Sequence, residues 1–221
     1  MGIFAKGLDV VLHIDKYIGF LLSLVGDWTY LILFLVIFAE TGFVFTPFLP
    51  GDSLLFAAGA FAAQGYFNIF IILVILLIAA IAGDSVNYWI GLHIGEKVLL
   101  KRNLMNPSHL EKTKRFYEKY GKKTIIFARF IPIVRTFAPF IAGIGKMEYP
   151  VFLLYNVIGG IFWICLFVLG GYFFGNIPYV QDHFSLFVIL IIFLSFIPLI
   201  IELAKHFREK LKNKKEGKSK T

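Results

Sequence analysis

The sequence predicts an all-α integral membrane fold: an inverted repeat of re-entrant helical hairpin plus transmembrane helix, with interfacial amphipathic helices. Three observations carry that expectation. The chain of 221 residues is 58% hydrophobic, with a mean hydropathy of +0.78 and only 16% charged residues, too little polar surface to cover a soluble domain of that size. Its basic residues cluster at Lys97–Lys123 and Lys205–Lys220, each beside a hydrophobic segment. That is the positive-inside pattern, so the net charge of +8 sets orientation and does not point to nucleic acid. Finally, two of the apolar segments are broken by proline and glycine, and the two resemble each other.

Residues 1–27 read as an interfacial helix. Leu8, Val11, Leu12, Ile18, Leu22 and Val25 share one helical face, with Asp9, His13 and Lys16 opposite. With these charges among the apolar residues and no small-residue cleavage site after a compact apolar core, no cleavable signal peptide is expected. The first half, 28–95, holds three apolar segments: Trp28–Phe45, Pro47–Gly65 and Phe67–Gly95. The middle one carries Pro47, Pro50, Gly51 and Asp52, and is expected to be a hairpin that enters and leaves from outside. Residues 96–123 form a cytoplasmic basic loop. In it Ser108-x-x-Glu111 is a capping box that opens an amphipathic helix and Gly121 closes it.

The second half, 124–203, follows from counting. Two cytoplasmic basic clusters require an even number of crossings between them, yet Thr124–Gly145, Val151–Asn176 and Phe184–Leu203 make three apolar segments. Thr124–Gly145 contains Pro132, Pro139, Gly143, Gly145 and two arginines, and reads as a re-entrant hairpin entering from inside. Tyr149 to Gln181 and Phe184 to Ile201 carry no charge, and eighteen helical residues span roughly 27 Å, close to the hydrocarbon thickness. Residues 204–221 are a basic cytoplasmic tail, which puts both termini inside. Gly59 in the first broken segment parallels Gly143 in the second. The long helix after each ends in Gly-x-x-x-Gly, at Gly91/Gly95 and Gly171/Gly175, glycines that allow close packing within one chain or between chains of an oligomer. The two hairpins would be related by inversion, the arrangement of alternating-access transporters.

Five ionisable residues fall where a bilayer disfavours them: Glu40, Asp52, Asp84, Arg129 and Arg135. The plain alternative is an ion-pair knot that holds the hairpins together. The functional reading is more specific. Arg135 and Thr136 follow a helix break, so a guanidinium fork and a hydroxyl lie beside freed backbone N–H groups, a cradle for phosphate to which Arg129 adds a second cation. Arginine stays charged and cannot shuttle protons. Glu40 and Asp52 can, because burial penalises the charged form of a carboxyl group. Asp52 in Pro-Gly-Asp-Ser also suits a turn or an N-cap for Ser53–Ala57. Asp84, read as lying near the cytoplasmic end of its helix, suits a structural or hydrated role. No metal or cofactor is implied, and the lone Cys165 is apolar filler.

Several motifs resemble the DedA family of bacterial inner-membrane proteins, in the wider VTT-domain group. They are Phe38-x-Glu40-Thr-Gly, Pro47-Phe-Leu-Pro-Gly-Asp-Ser53, Gly83-Asp84-x-x-Asn87-Tyr88, Phe116-Tyr-Glu-Lys-x-Gly121, Ala128-Arg-Phe-x-Pro-x-Val-Arg-Thr-Phe-Ala-Pro139, Ala142-Gly and Tyr155-Asn-Val-Ile-Gly159. The resemblance covers nearly the whole chain except the basic tail. It implies two re-entrant hairpins between transmembrane helices. It further implies proton-motive-force-linked translocation of undecaprenyl phosphate or phosphatidylethanolamine across the cytoplasmic membrane, with Glu40, Asp52, Arg129 and Arg135 at the positions of the family's functional residues. The expected function is therefore a lipid transporter and not an enzyme. Its rivals are a membrane lipid-phosphate phosphatase, a non-transporting envelope scaffold and a proton-coupled exporter of small cations. A phosphatase would need a nucleophile or base beside the arginines. Ser53 is a candidate, and no histidine of the sequence falls near either hairpin.

Overall fold

The computed structural model describes residues 24–43, 51–101, 111, 115, 117–184, 186, 187 and 189–191. Among these, all regular structure is helical. Most of the expected N-terminal helix, the Pro47 and Pro50 break, the Ser108–Glu111 box apart from Glu111, most of the last apolar segment and the basic tail lie outside the described residues.

Helix α1 spans Trp28–Gly42. Its inner face buries Leu33, Ile37, Glu40 and Thr41, while Trp28, Leu31, Ile32 and Leu35 face outward. It stops three residues short of the expected Phe45, because Phe43 turns to extended backbone. Helix α2, Gly51–Ala63, is built of small residues on its buried side: Ala58, Gly59, Ala60 and Ala62. Gly65, at φ +84°, makes the turn that follows. Asn68 then caps the next helix: its side-chain oxygen accepts from the backbone N–H groups of Phe70 (3.0 Å) and Ile71 (3.3 Å).

Helix α3, Ile69–Lys101, is 33 residues long, roughly 50 Å. It runs past the expected Gly95 boundary. Asp84 therefore sits in the middle of its helix and not near an end. After a 3₁₀ turn at Gly121–Lys123 come the short α4, Thr124–Ala128, and α5, Pro132–Ile144. The break in this segment falls at Arg129–Ile131. Pro132 starts α5 in its first turn, whereas Pro139, expected to help break the segment, lies inside the helix. Helix α6, Tyr149–Ile164, passes through a π-helical turn at Cys165–Leu169 into α7, Gly170–Gly175, and the short α8 is Pro178–Asp182.

Two stretches, Ile69–Ile94 and Tyr149–Gly175, are long and apolar enough to cross a membrane. Only 33% and 39% of their most apolar windows are buried, and Phe70, Val74 and Ile78 on the first and Phe162, Leu166 and Phe173 on the second stand exposed, an apolar face turned outward as on lipid-facing helices.

The packing of the broken segments on the long helices is reciprocal. A side chain at Gly59 would collide with Val168 O and Tyr172 N, and one at Gly171 with Phe56 O and Ala60 N. A side chain at Gly143 would collide with Tyr88 O and Leu92 N, and one at Gly91 with Phe140 O. Thus α2 of the first half lies backbone-to-backbone on the second half's long helix, and α5 of the second half lies likewise on α3. The offsets agree: Val168 and Tyr172 stand to Gly171 as Tyr88 and Leu92 stand to Gly91. Gly91, Gly171 and Gly175 are therefore used inside one chain.

Candidate functional site

All five intramembrane charges meet where these helices cross. Glu40 and Thr41 come from the last turn of α1, Asp52 from the first turn of α2 and Asp84 from the middle of α3. Arg129 comes from the break between α4 and α5, Arg135 and Thr136 from the first turns of α5. Asp52 follows Gly51 within the helix, so it is a first-turn residue and not the N-cap. Together with Trp163, the residues Glu40, Thr41, Asp84, Arg129, Arg135 and Thr136 line a cavity of about 10 Å³, barely room for one water.

The charges form two groups. In the first, Arg135 spreads its fork between two helices: Nη1 donates to Asp52 Oδ1 at 2.6 Å and Nη2 to Glu40 Oε1. The Asp52 side chain is 37% exposed, Arg135 11% and Glu40 1%, so this group opens toward one side of the bundle through Asp52. Gly51 is needed beside it, because any side chain there would run into the Glu40 carboxylate. In the second group, Arg129 Nη2 donates to Asp84 Oδ2 at 2.5 Å and to Asn156 Oδ1. Both side chains of this pair are sealed, Arg129 5% and Asp84 7% exposed. The hydrated role expected of Asp84 does not fit that burial. Gly159 makes room for Arg129: an added Cβ would press on its Cδ at 3.1 Å.

Trp163 touches both groups. Its indole N–H donates to Asp52 Oδ1 at 2.9 Å, and its ring lies 5.3 Å from the guanidinium carbon of Arg135 and 5.7 Å from that of Arg129. Behind them Asn87 bridges α1 and α5, its amide donating to Thr41 O (3.2 Å) and Thr136 O (2.8 Å). Asn156 donates in turn to Ile81 O at 3.2 Å.

The structure thus brings together the five charges and Thr136, with Arg135 held by two acids and Arg129 by one. Three partners were not singled out. Asn87 lies three residues after Asp84 on the same helical face, and Asn156 is a polar residue in an apolar run, so both left a signal. Trp163 left none, since an aromatic in an apolar helix is ordinary.

Comparison with known proteins covers the same region. Residues 49–173 match the VTT domain, a stretch that contains every site residue except Glu40 and Thr41. The chain is 53% identical over 205 residues to Protein DedA of Escherichia coli strain K12, covering 91% of this chain and 94% of that protein. It is 39% identical to an uncharacterized membrane protein of Mycobacterium tuberculosis, covering 80% of this chain and 79% of the relative. It is 32% identical to the inner membrane protein YqjA of Escherichia coli strain K12, covering 71% of each. No solved structure matches the chain.

Proposed function

The chain belongs to the DedA family of VTT-domain membrane proteins, and from that premise we propose that it translocates a phosphate-bearing lipid, undecaprenyl phosphate first, across the bacterial cytoplasmic membrane with proton coupling. The observation that carries the reading is the Arg135 fork, held by one carboxylate from α1 and one from α2. Three acids against two arginines leave the cluster at −1 when all are ionised, so an anion is repelled. With protons on Glu40 and Asp52 the same cluster carries +1, the fork is released, and a phosphate is attracted to Arg135, Thr136 and then Arg129. Proton uptake and headgroup binding are then one event. The prenyl or acyl tail stays in lipid.

Two hairpins related by inversion supply the movement. The reciprocal glycine crossings support that repeat, because each broken segment leans on the other half's long helix. In this reading the first hairpin enters from outside and the second from inside, with both termini cytoplasmic. In a Cys165→Ser chain, single cysteines at Gln64 and Gln181 should label from outside with an impermeant thiol reagent. Cysteines at Asn103 and Asn213 should label only after permeabilisation. Asn103 and Asn213 on opposite faces would remove the inverted repeat.

For the function itself, purified chain in liposomes should speed movement of undecaprenyl phosphate between leaflets at least roughly tenfold, since an isolated charge crosses hydrocarbon slowly. The signal is access of an impermeant probe to the phosphate. Phosphatidylethanolamine, run alongside, tests a general phospholipid translocase, and release of inorganic phosphate tests the phosphatase. The ion-pair closure itself favours one other reading, a scaffold that alters the envelope without transport. If neither lipid moves faster than in empty liposomes, with or without a pH gradient, the scaffold takes its place.

A further inference from the structure

The cavity at the centre of the charge cluster is too small for a phosphate, and the two arginines that would share one both stand against a single uncharged side chain, Trp163. Its N–H and Arg135 Nη1 donate to the same atom, Asp52 Oδ1. The side chain therefore holds the acid that closes the fork and packs its ring against both Arg129 and Arg135. Of the residues lining the cavity it is the bulkiest and carries no ionic bond.

A second observation is independent of the first. The α-helical hydrogen-bond ladder of this long helix gives way to a π-helical turn at Cys165–Leu169, starting two residues after Trp163. Such turns are rare, occur frequently at functional sites, and are places where a helix can kink. Beyond the turn, Gly171 seats α7 against the backbone of α2 at Phe56 and Ala60, with no room for a side chain. The α7 end is thus locked to the helix that carries Asp52, while α6 on the other side of the π turn carries Trp163.

We propose that Trp163 is a latch, a positioning residue that swings off Asp52 by rotation of α6 about the Cys165–Leu169 turn and so joins Arg129 and Arg135 into one site for a phosphate monoester. The proposal rests on the transport reading for its purpose, but its ligand chemistry, a phosphate group from lipid or solution, is tested separately.

The test uses the full chain with Trp28→Phe and Trp89→Phe, which leaves Trp163 as the one tryptophan. The protein is placed in liposomes containing undecaprenyl phosphate, in liposomes containing the matching prenyl alcohol, and in plain liposomes with inorganic phosphate added. A latch predicts a change in Trp163 emission with the phosphate-bearing lipid and none with the alcohol, lost in Arg135→Ala. A response to inorganic phosphate as well identifies the headgroup alone as the ligand. In parallel, Trp163→Phe keeps the ring over both arginines and loses the bond to Asp52. It should move lipid without a pH gradient roughly tenfold faster than the parent, about the worth of one hydrogen bond to a charged group. A merely structural tryptophan would instead lower melting temperature and transport together. Unchanged emission in every arm, with lipid still moving in the parent chain, overturns the latch and leaves transport standing. A phosphate-dependent emission change without any lipid movement supports the latch and overturns transport.

Discussion

Arg129→Ala is expected to abolish accumulation of folded protein, and adding Asp84→Asn to the same chain should restore most of it. The pair is sealed from both sides, and Arg129 also supplies the donor for Asn156 Oδ1. Truncating the arginine leaves a carboxylate with neither cation nor water. Breaking a buried ion pair from one side costs about 3–5 kcal/mol, a large share of the roughly 5–15 kcal/mol that holds a domain together. Neutralising Asp84 removes the stranded charge and leaves a cavity and a few weaker bonds, a defect of about 1–3 kcal/mol. The measurement is the monodisperse fraction and melting temperature in detergent for the parent, both single variants and the double variant. If Arg129→Ala melts like the parent, the sealed pair is not what holds α3, α5 and α6 together.

The same truncation at Arg135 should also cost folding, because Glu40, 1% exposed, loses its cation in a sealed place as Asp84 does. Its other partner, Asp52, is more than a third exposed, so water reaches that carboxylate when the cation is gone. One cluster thus contains an anchored end and an accessible end. That division assigns anchoring to Arg129 with Asp84, and first contact with the headgroup to Arg135.

Most of this arrangement was legible in the sequence because lipid makes it so. A charge in an apolar run is costly enough that its mere presence marks a site, and all five residues found in that way converge. Helix breaks were legible as segments but not as positions. Proline marks both the start of α5 at Pro132 and an interior turn at Pro139, and composition does not separate the two roles. Asp52 was read as a turn or cap because Pro-Gly-Asp-Ser suits both, whereas the helix already includes Gly51. The length of α3 was underestimated because apolarity fades after Ile94 while the helix goes on to Lys101, past the hydrocarbon limit. Trp163 was invisible because an aromatic in an apolar helix is ordinary; only its place one turn after Gly159, which lies against Arg129, reveals its role.

Arg135→Lys is expected to lose nearly as much transport as Arg135→Ala, roughly 100-fold each per folded molecule, while the lysine variant, which keeps a cation beside Glu40, keeps the parent's folded fraction. The positive charge survives the lysine substitution, so a requirement for charge alone would leave transport almost intact. What is lost is the planar fork, whose two nitrogens reach Asp52 on α2 and Glu40 on α1 at once. An ammonium cannot hold both acids in one plane, nor offer two parallel donors to a phosphate. Two charge-assisted hydrogen bonds weakened together amount to about 3 kcal/mol, which corresponds to roughly 100-fold in rate. Glu40→Gln supplies the contrast. It keeps the arginine fork but removes a proton-binding group, so headgroup binding should remain while the response to a pH gradient disappears. The measurement is the initial rate at which undecaprenyl phosphate becomes accessible on the far side of liposomes, with and without a gradient, together with melting temperature for each variant. Normal transport by Arg135→Lys would show that any cation suffices at this position, and the phosphate cradle would then have to be given up.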